Sequence, residues 1–401
     1  MYDTMNCKLR IKPYKEIFML KAIINANIVL ENGIIWDGTL LVENDTIKAF
    51  GKARDIEVPT DAEIIDAAGA YVGPGFVDIH VHGGAGFATY IEIEKAANHF
   101  LKHGATSILA TPAYFMGYEE HMDAIQNVKE AMGKVETLRG IYFEGPYTNP
   151  KYGCNVDKNP WRDAIDEARS HAMVDAAGDL ARVWAIAPER EGIKEFMSYA
   201  RKVNPNVEFA IAHSEATPKQ IRDLGSRLRP SIQTHSTNAT GIVFNSDGIR
   251  GCGPDEYSFK DPELYAELIS DSAAIHVHPD MQQLILHTKG VHRVILVTDS
   301  TTEEGVPSEI YGSDVADLNF DHNGELAGSK MTMDQACRNI MTHTNCGIAQ
   351  AFLMASTNPA MAVGLYDERG SIEVGKKADL VFVDDRFNVK EVMLGGKLCE
   401  F

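Results

Sequence analysis

Eight compact apolar runs recur through the middle of the chain, separated by helix-like stretches such as IEIEKAANHFLKHG and GYEEHMDAIQNVKEAMGKV. The runs are YVGPGFVDIHVH, ATSILATPA, LRGIYFEGP, RVWAIAPE, VEFAIAHS, PSIQTHS, AAIHVHP and HRVILVTDS. Short runs of this kind, alternating with helices, read as parallel strands buried on both faces and joined by right-handed crossovers. Eight such units predict an α/β protein built on a (β/α)8 barrel. An open doubly wound sheet is the alternative. No G-x-G-x-x-G follows the first run, so a dinucleotide fold gains no support.

The two ends of the chain have a different character. Residues 20–70 read as short strands, with Val, Ile and Thr alternating with polar residues and Asn-Gly or Asp-Gly at turns. The tail KADLVFVDDRFNVKEVMLGGKLCEF is similar. Chain termini often lie close together, so both ends are expected to form one small β domain. The expected division is an N-terminal extension over residues 1–18, a small β-sandwich from 19–70 and 370–401, and the barrel over 71–369.

The ends of the runs carry the chemistry. They bring His80 and His82, then Thr111, Glu144, Glu189, His213, His235, His276 and His278, and finally Asp299. In an extended chain residues i and i+2 share a face, so His80 and His82 present two imidazoles side by side. Barrel active sites lie at the C-terminal strand ends. Any one of these residues has a plainer reading: Glu144 entering a turn, His213 or His235 satisfied in the core, Asp299 capping a helix. Seven runs ending in His, Glu or Asp point instead to a shared metal site.

Imidazole and carboxylate suit Zn²⁺, with Fe²⁺, Mn²⁺ or Co²⁺ as substitutes. Two His and one Glu leave an open position for water, and a metal lowers the pKa of that water from 15.7 to about 7. A nearby carboxylate then takes the proton and passes it to a leaving nitrogen, and Asp299 is the candidate. No G-x-S-x-G elbow occurs. The six cysteines form no C-x-x-C pair, which argues against a disulfide framework or zinc ribbon.

A net charge of −19 without a Lys/Arg-rich run argues against nucleic acid or an anionic membrane as partner. No apolar run reaches the ~18 residues of a membrane helix, and the first residues lack the long apolar segment of a signal peptide. The expected location is the cytoplasm.

The motifs PGFVDIHVHGGAGF, FEGPY, AHSEAT, THSTNAT, IHVHP, VTDS and LAGSKMTMDQACRN resemble, in order, those of the N-acetylglucosamine-6-phosphate deacetylases of the amidohydrolase superfamily. So does the tail NPAMAVGLYDERGSIEVGKKADLVFVD, and the resemblance runs from Lys21 to the end. It implies a metal-dependent barrel with a small β-sandwich, usually a homodimer, acting on a phosphorylated N-acetyl amino sugar. It also implies metal ligands at Glu144, His213 and His235, with His80 and His82 holding a second ion and Glu144 shared. The general base falls on Asp299. Substrate contacts fall on Asn238, Ala239, His276, Leu326, Ala327 and Gly328.

The chain departs from the family in the substrate shell. Where relatives read K-G-A-H, this chain reads KYGCN, which puts Asn155 in place of a sugar-holding His. Ser236 and Thr237 replace two larger apolar residues. Eight residues past Asn238, where the phosphate-binding Arg is expected, stands Ser246; counting back from ELISD reaches Arg250 instead. TDSTTEEGVP also departs from T-D-A-x-x-x-A-G. The expected reaction is hydrolysis of the acetamide of N-acetylglucosamine 6-phosphate, with another N-acyl amino sugar or other amide as the alternative.

Overall fold

The computed structural model describes residues 20–241, 251–311 and 316–401. Arg250 lies outside them. Eight parallel strands form the barrel: β1 (Phe76–Val81), β2 (Ala105–Ala110), β3 (Leu138–Phe143), β4 (Ala181–Ile186), β5 (Glu208–Ile211), β6 (Ile232–Gln233), β7 (Tyr265–Leu268) and β8 (Val294–Leu296). Each is followed by a helix, from Ile93–Lys102 after β1 to Met333–Thr344 after β8. All six residues of β1 and of β2 are buried, because the helices cover one face while the barrel interior fills the other.

The strands pair in sequence order from β1 to β8. The ring is drawn together just beyond β8. The Asp299 N–H donates to His80 O at 3.0 Å, and Ser300 O accepts from the N–H groups of His82 and Gly83, each at 2.9 Å. Below this seam the buried Asp78 carboxylate accepts from the hydroxyl and N–H of Thr298. Closure therefore puts the first and last strand ends, which carry His80, His82 and Asp299, in register.

Two strands differ from the sequence expectation. The first apolar run is two strands: Tyr71–Pro74 joins the small sheet, and the chain passes through Gly75 into β1. A Cβ at Gly75 would lie 2.2 Å from the Thr106 hydroxyl, so only glycine lets the chain cross there. The seventh strand is Tyr265–Leu268, not AAIHVHP. Glu267 interrupts the apolar pattern of the true strand and disguises it. AAIHVHP is the loop beyond it, where Ala274 turns with φ 52° and His278 caps the helix Pro279–Lys289.

Strands from both chain ends form a separate, mainly antiparallel eight-stranded sheet. Tyr71–Pro74 sits at its centre, parallel to Leu20–Leu30 and antiparallel to Leu380–Val383. Ile23, Ile28, Leu40, Val42, Val72, Leu380 and Phe382 make its core. No helix among the described residues is long and apolar enough to cross a membrane.

One buried histidine outside the site ties stability to pH. His121, on the helix Tyr118–Ala131, packs edge-on to Trp161 with its Nδ1 3.0 Å from Gly117 O. Burial pushes its pKa down to about 4. The unfolded chain protonates this group near 6.5 while the folded chain resists, so the stability it contributes above 6.5 is lost as pH falls toward 4. Between pH 7 and 4.5 the loss from this residue is about 2–3 kcal/mol. Urea unfolding across that range should show a shallower acid decline for His121→Gln; parallel profiles would show that His121 does not titrate on unfolding.

Candidate active site

A pocket of about 430 Å³ opens at the C-terminal face of the barrel. His82, Glu144, His213, His235 and Asp299 line its floor. Tyr90, Tyr114, Phe115 and Cys154 form part of its wall. The volume falls within the range of small-molecule sites.

The side chains on the floor gather around one carboxylate. Glu144, just past β3, is 3% exposed. Its Oε1 lies 2.7 Å from His213 Nε2, 3.1 Å from His235 Nε2 and 3.7 Å from His80 Nε2. Its Oε2 lies 3.2 Å from His82 Nε2. Asp299 Oδ1 stands 3.3 Å from His82 Nε2 and 3.7 Å from His80 Nε2. Glu144 thus sits between two imidazole pairs and belongs to two ligand-type triads, with His80 and His82 on one side and His213 and His235 on the other.

Three of the four imidazoles are oriented from behind. His80 Nδ1 is 3.1 Å from Glu267 Oε2, His82 Nδ1 is 2.8 Å from Thr111 O, and His235 Nδ1 is 3.1 Å from Asn238 O. An Nδ1–H donated outward leaves Nε2 aimed at the centre, the usual arrangement behind metal-ligating histidines. His80 Nε2 is buried with no hydrogen-bond partner. Four converging imidazoles, a shared carboxylate and this orphaned nitrogen fit a divalent cation of the Zn²⁺, Fe²⁺, Mn²⁺ or Co²⁺ type.

Electrostatics point the same way. Burial disfavours a charged His82, but its hydrogen bonds to Asp299 and Glu144 outweigh that and lift it to about 10. His235 is lifted against burial to about 9 by Glu144 and by the charge of Asp299. Burial prevails at His213 and lowers it. Glu144 and Asp299 both stay ionised in spite of burial, Glu144 chiefly through His213 and Asp299 chiefly through His82. The cluster therefore favours positive charge at its centre.

The backbone at the strand ends is left-handed at three of these residues: φ is 40° at His213, 28° at His235 and 46° at Asp299. Non-glycine residues rarely take such angles, and each costs on the order of 1–3 kcal/mol. The angles turn the chain out of the barrel while the side chain stays over its mouth. Gly328, at φ 66°, closes the hairpin of Leu318–Phe320 and Leu326–Ser329 onto this corner. A Cβ there would lie 2.4 Å from Asp299 O.

The expected substrate residues divide. Asn238, Ala239, Leu326, Ala327 and Gly328 line the pocket; Asn155 and His276 do not. Asn155 is buried, its Oδ1 2.8 Å from His322 Nδ1 and its N–H donated to Asp321. Its neighbour Cys154 faces the pocket instead. His276 turns to Asp271, with Nδ1 3.1 Å from Oδ2. His278 is exposed, and Glu189 holds Asn149, Ser214 and the N–H of Glu215.

Sequence reasoning missed Glu267. Its one signal was a carboxylate inside a strand-length apolar stretch, YAELIS. It is fully buried, on β7, and its Oε1 has no hydrogen-bond partner. Glu267→Ala removes the acceptor behind His80. Partners of this kind are worth about 10–100-fold in metal affinity. Metal content after dialysis against a graded chelator should drop by that order in Glu267→Ala and be largely retained in Glu267→Gln. Equal retention in wild type and both variants would leave Glu267 a packing role only.

The model of the amidohydrolase family matches residues 71–399. An N-acetylglucosamine-6-phosphate deacetylase from Bacillus subtilis (strain 168) is 29% identical over 93% of this chain and 95% of its own length. An N-acetylgalactosamine-6-phosphate deacetylase from Escherichia coli O157:H7 is 28% identical, covering 93% of this chain and 98% of that one. Among solved structures, the Pasteurella multocida N-acetylglucosamine-6-phosphate deacetylase superposes with a TM-score of 0.82 at 26% identity, over 95% of this chain and 100% of that one. A Mycobacterium smegmatis variant in complex with N-acetyl-D-glucosamine-6-phosphate gives 0.78 at 25%, over 95% and 99%. Fold, strand-end histidines and carboxylates, and a match across most of the length agree: the chain belongs to the amidohydrolase family.

Proposed function

We propose that this enzyme hydrolyses the acetamide of N-acetylglucosamine 6-phosphate to glucosamine 6-phosphate and acetate. The observation that carries the reading is the Glu144 carboxylate shared by two histidine pairs, with Asp299 beside it on the floor of a sugar-sized pocket. The deacetylase relatives supply the substrate class.

Glu144, His213 and His235 would hold one divalent cation, zinc first among the candidates, and His80 and His82 a second with Glu144 shared. Bound there, a cation supplies Lewis acidity that brings the pKa of water toward 7 and polarises the amide carbonyl. The residues of the chain do the rest. Asp299, ionised at neutral pH, accepts a proton from the attacking water as its oxygen bonds to the acetyl carbon. It then delivers that proton to the nitrogen as the C–N bond breaks, which releases a neutral amine. Asn238, Ala239 and the Leu326–Ala327–Gly328 edge orient the sugar, and Arg250 binds the phosphate. The working assembly is a homodimer in the cytoplasm.

A second reading, N-acetylgalactosamine 6-phosphate as substrate, is favoured by the Escherichia coli O157:H7 relative. Ratios of kcat/KM for the two sugars decide between them.

Asp299→Asn keeps the shape of the side chain but cannot take the proton. Its kcat should fall by at least 10²–10⁴-fold with metal content unchanged; full activity would show that Asp299 does not take the proton. For the phosphate, a hydrogen bond to a charged group contributes about 1.5–3 kcal/mol. Arg250→Ala should therefore raise KM for the phosphorylated sugar about 10–150-fold and barely affect the unphosphorylated one. A wild type with no preference for the phosphorylated form would overturn the sugar-phosphate reading.

A further inference from the structure

At the opposite end of the barrel from the active site, the starts of β3 and β4 face the turns of the small sheet at Asn44–Asp45 and Gly395–Lys397. A chamber of about 780 Å³ lies between them. Arg139 and Arg182, each the second residue of its strand, line it together with Arg369.

The charges of these three do not balance. Arg369 is matched by the carboxylate of Asp379, which is buried beside it, and reaches Glu368. Arg139 has no carboxylate within ion-pair distance among the described residues. It donates Nε to Ser107 Oγ at 3.1 Å, Nη1 to Leu138 O at 3.3 Å and Nη2 to Thr106 O at 3.5 Å, the last two long for hydrogen bonds. Arg182 donates Nε to Arg139 O at 3.2 Å, and its terminal nitrogens have no partner among the described residues. Burial and the charge of Arg369 push Arg139 down to about 10. The carboxylates of Glu136, Asp367 and Glu368 also line the chamber, but at its exposed rim, and Asp45 is held by Lys377. The interior thus holds three guanidinium groups and one buried carboxylate.

Arg139 is largely removed from water with no carboxylate at ion-pair distance among the described residues, and the terminal nitrogens of Arg182 are left to bind an incoming acceptor. The planar fork of Arg matches the oxygens of a phosphate group in geometry and charge. We propose that this chamber is an anion site, separate from the active site, in which Arg139 and Arg182 hold the phosphate group of a small ligand. The volume leaves room for a phosphorylated sugar as well as for free phosphate. A ligand there would touch both the barrel and the small sheet.

Isothermal titration with inorganic phosphate and with glucosamine 6-phosphate, on wild type, Arg250→Ala, Arg182→Met and Arg182→Lys, tests the site. The expected result is phosphate binding that survives Arg250→Ala and weakens about 10-fold or more in Arg182→Met, with unchanged steady-state deacetylation to show that this variant is folded. Arg182→Lys, which keeps the charge but not the fork, should fall between. In the Arg250→Ala background, tighter binding of the sugar phosphate identifies a phosphate ester as the ligand, and equal binding identifies free phosphate. Wild type that binds neither, or binding lost in Arg250→Ala and untouched in Arg182→Met, overturns the proposal.

Discussion

The Glu144 carboxylate is buried under a barrel mouth, and the surrounding architecture makes that burial tolerable. An ionised carboxylate removed from water is costly unless it is paired and hydrogen-bonded. Here imidazoles from β1, β5 and β6 converge on it, so four histidines at three strand ends serve one charge. The same convergence forms two groups of side chains that could each hold a cation. Removing any one imidazole leaves the carboxylate less compensated, which couples the halves of the site.

Backbone geometry holds the convergence in place. Left-handed turns at His213, His235 and Asp299 keep each side chain over the barrel while the chain leaves it. Such turns persist where surrounding bonds over-determine them, and Asp299 illustrates this. Its N–H is given to His80 O, its carbonyl accepts the Ser329 N–H at 2.8 Å, and Gly328 packs against it. The seam that closes the barrel therefore also sets the distance between Asp299 and the first histidine pair. Fold and candidate site share these hydrogen bonds.

Behind the ligands lies a layer that chemistry requires but residue type alone does not announce. A backbone carbonyl from Thr111, another from Asn238 and the carboxylate of Glu267 each fix one ring. Two of the three are main-chain atoms that any residue could supply. The substrate wall behaves similarly: Cys154 faces the pocket while Asn155, one residue on, turns away with φ 50° toward His322. A one-residue difference in turn geometry exchanges which side chain faces the pocket.

The barrel and the floor of the site were legible in the chain because both rest on short-range pattern. Buried strands must be apolar throughout, strand ends must turn polar, and i, i+2 alternation shows at once that His80 and His82 share a face. Glu144, His213, His235 and Asp299 follow from the same rule applied to other runs. The rule failed where function broke it. Glu267 placed a charge inside β7, so the apolar loop AAIHVHP looked more like the strand than YAEL did. What the tertiary structure alone decided is everything that depends on distances between segments far apart in the chain. Examples are the pairing of Glu267 with a histidine 187 positions away, the turning of Asn155 toward His322, and the meeting of Arg139 and Arg182 beneath the barrel. Local pattern reports which residues a strand must bury or present, but which neighbour each one finds is settled only when the ring closes.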